Sequence, residues 1–201
     1  MSSPTPFTLL HNSWTLWYHH PENNDWGVDS YQEIGSFHTV EEFWAIMNHF
    51  KESQFHLGMF FIMRDTIHPT WEDEANRNGG CWSFRIGRRD IFPAWTELSV
   101  ALIGETICSQ DPLSINGISI SPKKGFCIMK IWNKDYTPFK EVLESGDKES
   151  ICQKSSEILG NIPYLVMNET MYKSFQEKED GENQTAKSES PDRWSSRFPR
   201  K

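Results

Sequence analysis

Short apolar runs, some alternating with polar residues, recur along the chain and predict a series of β-strands. The predicted strands cover residues 14–19, 31–36, 60–63, 81–86, 118–121, 126–132 and 164–167. The I-S-I-S sequence of residues 118–121 is the clearest, because its period of two places the apolar side chains on one face. Glycine, asparagine and proline separate several of these runs as turn signals. Strands this short predict an antiparallel sheet.

Three other segments have the apolar spacing of helices. The first begins at Thr39 with the capping box T-V-E-E, in which the Thr39 hydroxyl and the Glu42 carboxylate satisfy free backbone N–H groups. Apolar residues then follow at i, i+3, i+4 and i+7. The second helix begins near Asp90 and ends at Gly104, and the third covers residues 147–159. Strands interleaved with helices predict one α+β domain whose sheet has one face covered by helices and the other free for a ligand.

Nine tryptophans stand out in a chain with a mean hydropathy of only −0.62. Two of them lie in polar loops, Trp26 within residues 21–27 and Trp71 within residues 66–80. A tryptophan in such a loop either closes the edge of the core or stacks on a flat ligand. We predict core or strand packing for four others, Trp14, Trp17, Trp82 and Trp95.

The formal net charge is −8, from 20 basic and 28 acidic side chains. Non-specific binding to a duplex depends on many lysines and arginines at the phosphates, so this charge excludes a general DNA-binding protein. Any contact with nucleic acid must therefore be local and chemically specific. Residues 176–201 contain equal numbers of acids and bases and few apolar side chains, which predicts a mobile tail.

No apolar run approaches the roughly 18 residues that a membrane span needs. The N-terminus also lacks the basic-then-apolar pattern of a secretory signal. The four cysteines show no C-x-x-C spacing and no histidine at zinc-ligand spacing, which predicts reduced, mostly buried thiols rather than a metal site. We expect a cytoplasmic location, with the nucleus as a second compartment, and no binding to membranes.

Glu72 directly follows one of the two loop tryptophans, and this combination suits a flat, positively charged ring. Two indoles can sandwich such a ring through cation–π attraction of up to about 2 kcal/mol per face when desolvated. The carboxylate can accept hydrogen bonds from N–H groups at the edge of the ring. N7-methylguanine fits, because it is a delocalised cation whose N1 and N2 hydrogens point the same way. Unmethylated guanine lacks the charge, so we expect the pocket to reject it.

Four longer motifs carry a resemblance to a known family. They are H-N-S-W-T-L-W-Y (11–18), T-V-E-E-F-W-A-I-M-N-H (39–49), P-T-W-E-D-E-A-N-R-N-G-G-C-W (69–82) and L-I-G-E (102–105). The chain resembles the eukaryotic translation initiation factor 4E family, the proteins that bind the 5′ cap of mRNA. The resemblance implies a curved antiparallel sheet with three α-helices on its convex face and the ligand slot on its concave side. We expect a flexible arm over residues 1–10, the cap-binding domain over 11–175 and the mobile tail over 176–201.

The resemblance also implies the residues that hold the cap base. Trp26 and Trp71 match the two tryptophans that sandwich the methylated base. Glu72 matches the carboxylate that pairs with its N1 and N2 hydrogens. Trp132 matches the tryptophan that touches the methyl group.

The resemblance implies a thinner grip on the phosphates. Lys123 falls where the family has a phosphate-binding arginine. A second base is missing in a gapless comparison, which puts Ile128 there, but Lys130 shares a strand face with Trp132 by the period of two and could substitute. Cys81 stands where many members have another basic residue. Lys124, or Lys187 and Arg193 of the tail, could also contribute.

A second tryptophan site concerns protein partners. Periodicity alone leaves Trp44 as either a core residue or an exposed one, and the resemblance implies that it is exposed. In the family the matching residue bonds a helical Y-x-x-x-x-L-Φ peptide of a scaffold, initiation factor 4G, or of a 4E-binding repressor. Val40, Glu97 and Val100 match its neighbours. Thr96, where leucine is usual, and Thr8-Leu9, in place of a His-Pro pair, depart from the family.

We therefore predict a monomeric protein that binds capped mRNA and recruits an initiation scaffold, with no catalytic residue, metal or cofactor. One alternative is a cap-binding repressor that does not engage the scaffold. Another is a hydrolase acting on the cap or a nucleotide through the acids 72–74 and His68. The chain has no Gly-rich phosphate loop and no paired histidine motif, which disfavours the hydrolase.

Overall fold

A computed structural model describes residues 7–176 and contains one seven-stranded antiparallel sheet in that range. The strands are β1 (Leu9–His19), β2 (Gln32–Thr39), β3 (Met59–Arg64), β4 (Gly80–Gly87), β5 (Ile115–Lys123), β6 (Phe126–Asn133) and β7 (Met171–Ser174). Their order across the sheet is β2-β1-β3-β5-β6-β4-β7. The predicted α+β class and the curved antiparallel sheet are confirmed. β1 begins at Leu9, inside the predicted arm, whereas residues 1–6 and 177–201 lie outside the described residues.

The described residues contain four α-helices rather than the three predicted, namely α1 (Val40–Met47), α2 (Ile91–Ile103), α3 (Lys140–Ser145) and α4 (Lys148–Ile158). The capping box of α1 is present, because the Thr39 hydroxyl accepts from the Glu42 N–H and the Glu42 carboxylate accepts from the Thr39 N–H. Helix α3 escaped prediction because its six residues are too few to establish a helical period.

The strand predicted at residues 164–167 is wrong. Tyr164 has a left-handed backbone with φ of 70° and is exposed, while Leu165 is buried against the core. The final strand of the described range is β7, which pairs with β4. One buried leucine between exposed residues imitates the alternation of a strand, but strand pairing depends on a free neighbouring edge, which a local pattern does not reveal.

The two faces of the sheet have different partners. On the convex face the main core contains side chains from α1, α2 and the sheet, including the fully buried Trp14, Trp82 and Trp95. The concave face carries a second cluster, which includes Trp17. The prediction of core or strand packing for these four tryptophans is confirmed.

The thiols follow the sequence prediction. All four cysteines are free, with Cys81, Cys108 and Cys127 buried and Cys152 half-buried. Burial raises the pKa of the Cys127 thiol to about 11. Among the described residues, no helix combines the length and the apolar character needed to cross a bilayer.

Candidate functional site

An aromatic and apolar cluster lines the concave face of the sheet. Its buried members come from β1, β3, β4, β6 and the residue after β7: Trp17, Phe61, Met63, Cys81, Trp132 and Phe175. Tyr31, Met59, Ile67 and Trp71 pack against them. The alternation of each strand separates this cluster from the convex core, so that Trp17 and Leu16 point to opposite faces.

Trp26 lies in the loop that follows β1, as predicted. The loop is held by its own polar side chains, since the Asn23 side chain accepts from the Asp25 N–H and the Asp25 carboxylate from the Gly27 N–H. Trp26 is 44% exposed. One face of its indole stacks on the ring of His19, with centroids 4.4 Å apart and planes 3° from parallel. Trp26 is thus partly exposed, and the stack on His19 fixes the orientation of its indole.

Trp71 lies in the loop that follows β3, which crosses the concave face. The loop folds back over the sheet, and the ring centroids of His68 and Trp17 are 5.2 Å apart. Trp71 itself is half-buried against the concave cluster, and Glu72 beside it is exposed.

Buried amides and one carboxylate fix the shape of this second loop. The Asp73 carboxylate accepts from the backbone N–H groups of His68 and Ala75 at 2.9 Å each. The fully buried Asn76 donates to the carbonyls of His68 and Thr70. Of the three consecutive acids, the middle one therefore has a structural role.

Tyr31 connects the two loops, a role that sequence reasoning missed. Its ring lies 4.8 Å from His19, which carries Trp26, and 5.4 Å from Phe61 of the cluster. Burial and, secondly, the negative charge of Glu72 raise the pKa of Tyr31 well above its usual range. Tyr31 thus links the support of Trp26 to the concave cluster, against which Trp71 also packs.

Trp132, the predicted methyl contact, is on the floor of the concave face and is buried. Its indole N–H donates to the Ser119 hydroxyl at 3.0 Å, and its ring lies 5.1 Å from that of Phe175. In the sheet it stands opposite Gly117 and Cys81. The hydrogen bond fixes the orientation of the indole, and contact with a ligand methyl group remains a prediction.

The predicted phosphate-binding lysines lie on the β5–β6 hairpin. Lys123 and Lys124 stand at its turn, where Gly125 has a φ of 92°. Lys130 is half-buried and occupies the same side of β6 as Trp132, by strand alternation.

Two further cations share the concave face and were missed by sequence reasoning. Arg85 lies four residues after Cys81 on β4, so strand alternation places both on the concave face. Its guanidinium lies 4.3 Å from the centre of the Phe126 ring. Lys173 of β7 pairs directly with Cys81. The alternation of β4 could have identified Arg85, but Lys173 required knowledge of which strand pairs with β4.

The predicted docking residues lie on α1 and α2. Trp44 is 37% exposed and Val100 is 41% exposed, Glu97 is exposed, and Val40 is half-buried. The Trp44 ring packs edge-on against that of Phe43, which belongs to the convex core. Of the two possibilities for Trp44, the structure therefore favours the exposed one.

The start of the described chain is joined to α1. The Thr8 carbonyl accepts from the Val40 N–H, and the Thr8 N–H donates to the Glu41 carboxylate, both at 2.9 Å. Thr96, the departure on α2, is half-buried, and its hydroxyl donates to the Phe92 carbonyl of its own helix. The Thr96 hydroxyl therefore has a hydrogen-bond partner within its own helix. A leucine at this position would need no such partner.

Known proteins resemble the chain in sequence and in fold. The family model described as eukaryotic initiation factor 4E matches residues 9–190. Eukaryotic translation initiation factor 4E of Saccharomyces cerevisiae is 38% identical over 159 residues, which cover 69% of this chain and 71% of the relative.

Two solved structures of nematode proteins share the fold. A complex of C. elegans eIF4E-3 with the 4E-binding protein Mextli and a cap analog superimposes with a TM-score of 0.66 at 24% identity, covering 87% of this chain and 96% of that chain. Ascaris suum eIF4E-3 with an m2,2,7G cap has a TM-score of 0.60 at 25% identity and covers 75% and 85% of the two chains. Because the family model matches most of this sequence, the chain belongs to the eukaryotic initiation factor 4E family.

Proposed function

We propose that this chain binds the N7-methylguanosine 5′ cap of mRNA between Trp26 and Trp71 and acts in translation initiation. The observation that carries the proposal is that Trp71 and Tyr31, which contacts the support of Trp26, pack against the same cluster on the concave face. Membership of the family supports the same function. The relatives from C. elegans and Ascaris suum hold a cap analog and a methylated cap.

The edge of the base is read by Glu72 and the phosphates by basic side chains. Glu72 is exposed beside Trp71, so its carboxylate is accessible to the N1 and N2 hydrogens of a stacked base. Lys123, Lys124 and Lys130 supply positive charge along the β5–β6 hairpin. Arg85 and Lys173 add charge on the same face and compensate for the neutral Cys81.

Glu72→Gln is expected to reduce the preference for 7-methylguanosine triphosphate over guanosine triphosphate about tenfold, or about 1.4 kcal/mol. The glutamine side chain is neutral and can no longer balance the charge of the methylated ring. Calorimetric titration of wild type and variant with both nucleotides measures the two affinities.

Glu74→Gln is the matched control, because it removes an equal charge from an exposed position in the same loop. It should leave the preference unchanged. If Glu72→Gln lost affinity for both nucleotides equally, a role of Glu72 in charge compensation would be contradicted.

We assign the partner protein to a surface patch made of the exposed Trp44, Glu97 and Val100 and the half-buried Val40. An exposed indole and an exposed valine suit the apolar face of a short helix, and tryptophan is a frequent anchor of such interfaces. The Mextli complex of the C. elegans relative supports a 4E-binding partner for this chain. We assign that partner to initiation factor 4G or to a repressor that carries Y-x-x-x-x-L-Φ.

Trp44→Ala is expected to weaken binding of a Y-x-x-x-x-L-Φ peptide by at least about 1 kcal/mol. Cap affinity should not change, since Trp44 lies on the opposite face of the sheet from the cap site. Fluorescence anisotropy of a labelled peptide measures the first quantity.

Leu113→Ala, which truncates another exposed apolar residue outside the patch, is the control and should bind the peptide normally. Failure of the wild-type protein to bind any such peptide, with cap binding intact, would instead favour a repressor that does not engage the scaffold.

We infer that the chain acts by binding, as its membership of the initiation factor 4E family supports. The two carboxylate oxygens of Asp73 are occupied by backbone N–H groups, so the acidic run of residues 72–74 does not converge on one ion. Within residues 7–176, no group of three His, Cys, Asp or Glu side chains is arranged to hold a metal. The cytoplasm, where mRNA is translated, is the location that this function requires.

A further inference from the structure

We propose that His19 is a positioning residue for cap binding, which holds the indole of Trp26 in its stacking orientation before the ligand arrives. The inference rests on the proposed cap-binding function. It assigns to a histidine of the sheet a role that neither the tryptophans nor Glu72 can supply.

The position of His19 is fixed by the sheet. It is the last residue of β1, pairs with Met59 of β3 and is fully buried. Two residues earlier on the same strand, Trp17 belongs to the concave cluster, so alternation directs His19 to the same face. The Tyr31 ring packs against the imidazole of His19, with centroids 4.8 Å apart. The imidazole is therefore a rigid part of the scaffold.

The contact with Trp26 has the geometry of a stacked pair. The rings are 3° from parallel and their centroids are 4.4 Å apart, just below the usual range of about 4.5–7 Å for aromatic pairs. The imidazole covers one face of the indole, and Trp26 as a whole is still 44% exposed. A cap base can stack only on the opposite face.

A hydrogen bond fixes the backbone beside Trp26 as well. The Nε2 atom of His19 lies 2.8 Å from the carbonyl oxygen of Asp25, the residue before Trp26. A carbonyl oxygen only accepts, so Nε2 carries the hydrogen and donates it. Nδ1 is buried and has no hydrogen-bond partner among the described residues. The ring thus uses its one donor on the loop and its π-face on the indole.

These two contacts predict an effect on affinity that acts through Trp26. A loop side chain that is free to rotate must be ordered when the ligand binds, and prior ordering removes that cost. Without the imidazole, Trp26 would lose both its stacking partner and the anchor of its backbone. Cap affinity should then fall even though no atom of His19 touches the cap.

A double-mutant cycle tests this inference. We expect His19→Ala to weaken binding of 7-methylguanosine triphosphate three- to tenfold in calorimetric titration. In a Trp26→Ala background the same change should have no further effect. In a Trp71→Ala background it should retain its full effect, because Trp71 has a different support. Independent losses for His19 and Trp26 would overturn the proposal.

His19→Phe keeps an aromatic ring without the donor and guards against a loss of folding in the alanine variant. It should retain most of the affinity if the stack dominates, with a melting temperature close to wild type. A properly folded His19→Phe variant that binds as weakly as a folded His19→Ala would exclude the stack as the cause. Wild-type affinity in both variants would exclude a positioning role altogether.

The failures of the two proposals are distinguishable. If Trp26→Ala alone retains full affinity, the sandwich in the proposed function is wrong whatever His19 does. If Trp26→Ala weakens binding and the His19 variants do not, the inference alone fails.

Discussion

Replacing Trp71 or Trp26 by alanine is expected to weaken binding of 7-methylguanosine triphosphate by about 1–3 kcal/mol each, the usual contribution of stacking one base on one aromatic ring. Each indole in the proposed sandwich offers a large π-face to a cationic base, and alanine offers none. Calorimetric titration measures the loss directly and does not depend on which of the nine tryptophans reports the binding.

Phenylalanine variants at the same positions should lose less, because a smaller ring still stacks and still attracts a cation. Leu113→Ala, which truncates an exposed apolar residue outside the concave cluster, should bind with wild-type affinity. Unchanged affinity in both tryptophan variants, with melting temperatures intact, would refute the sandwich.

Glu105→Gln is expected to destabilise the fold by about 3–5 kcal/mol, the usual cost of removing one partner of a buried ion pair. Glu105 follows α2 and forms an ion pair of 2.5 Å with Arg64 of β3, and both side chains are about nine-tenths buried. The guanidinium also donates to the Ile115 carbonyl and lies over the Trp14 ring. Loss of the carboxylate would leave this charge buried without an anionic partner.

Urea denaturation of the wild type and the variant measures the difference in the free energy of unfolding. Glu157→Gln is the control, since its ion pair with Lys154 is exposed and should contribute less than about 1 kcal/mol. A loss in Glu105→Gln as small as that of the control would mean that Arg64 finds compensation elsewhere. Cap affinity of the folded fraction should be unaffected by either substitution.

Local signals predicted the elements that depend on neighbouring residues. The capping box at Thr39 fixed the start of α1, and its two reciprocal hydrogen bonds involve residues only three apart. The alternation in β5 and β6 placed apolar side chains on one face and Trp132 with Lys130 on the other. The same method failed at residues 164–167, where one buried side chain in a turn had the pattern of a strand.

The chemistry of the candidate site could be predicted for a similar reason. Trp26 and Trp71 stand out because a large aromatic side chain in a polar loop has no local explanation. Glu72 adjoins one of them in sequence. These features depend on residue type and on immediate neighbours, so they are visible without a fold.

The supports of the site could not be predicted, because they join residues distant in the chain. Tyr31 and Trp71 pack against the same cluster only when the loop after β3 folds back over the concave face. Lys173 lies beside Cys81 only because β7 pairs with β4. Glu105 meets Arg64 across 41 positions of sequence.

The α+β class, the first capping box and the aromatic and acidic residues available for a cationic base could all be inferred from the amino-acid sequence alone. Three-dimensional packing was needed to establish that His19 stacks on Trp26, that the Asp73 carboxylate bonds within its own loop and that Trp44 is exposed. The physical reason is that composition and periodicity act over a few residues. Stacking, burial and charge pairing depend instead on distances between residues far apart in sequence. Those distances are set when the strands pair and the loops fold back over the sheet.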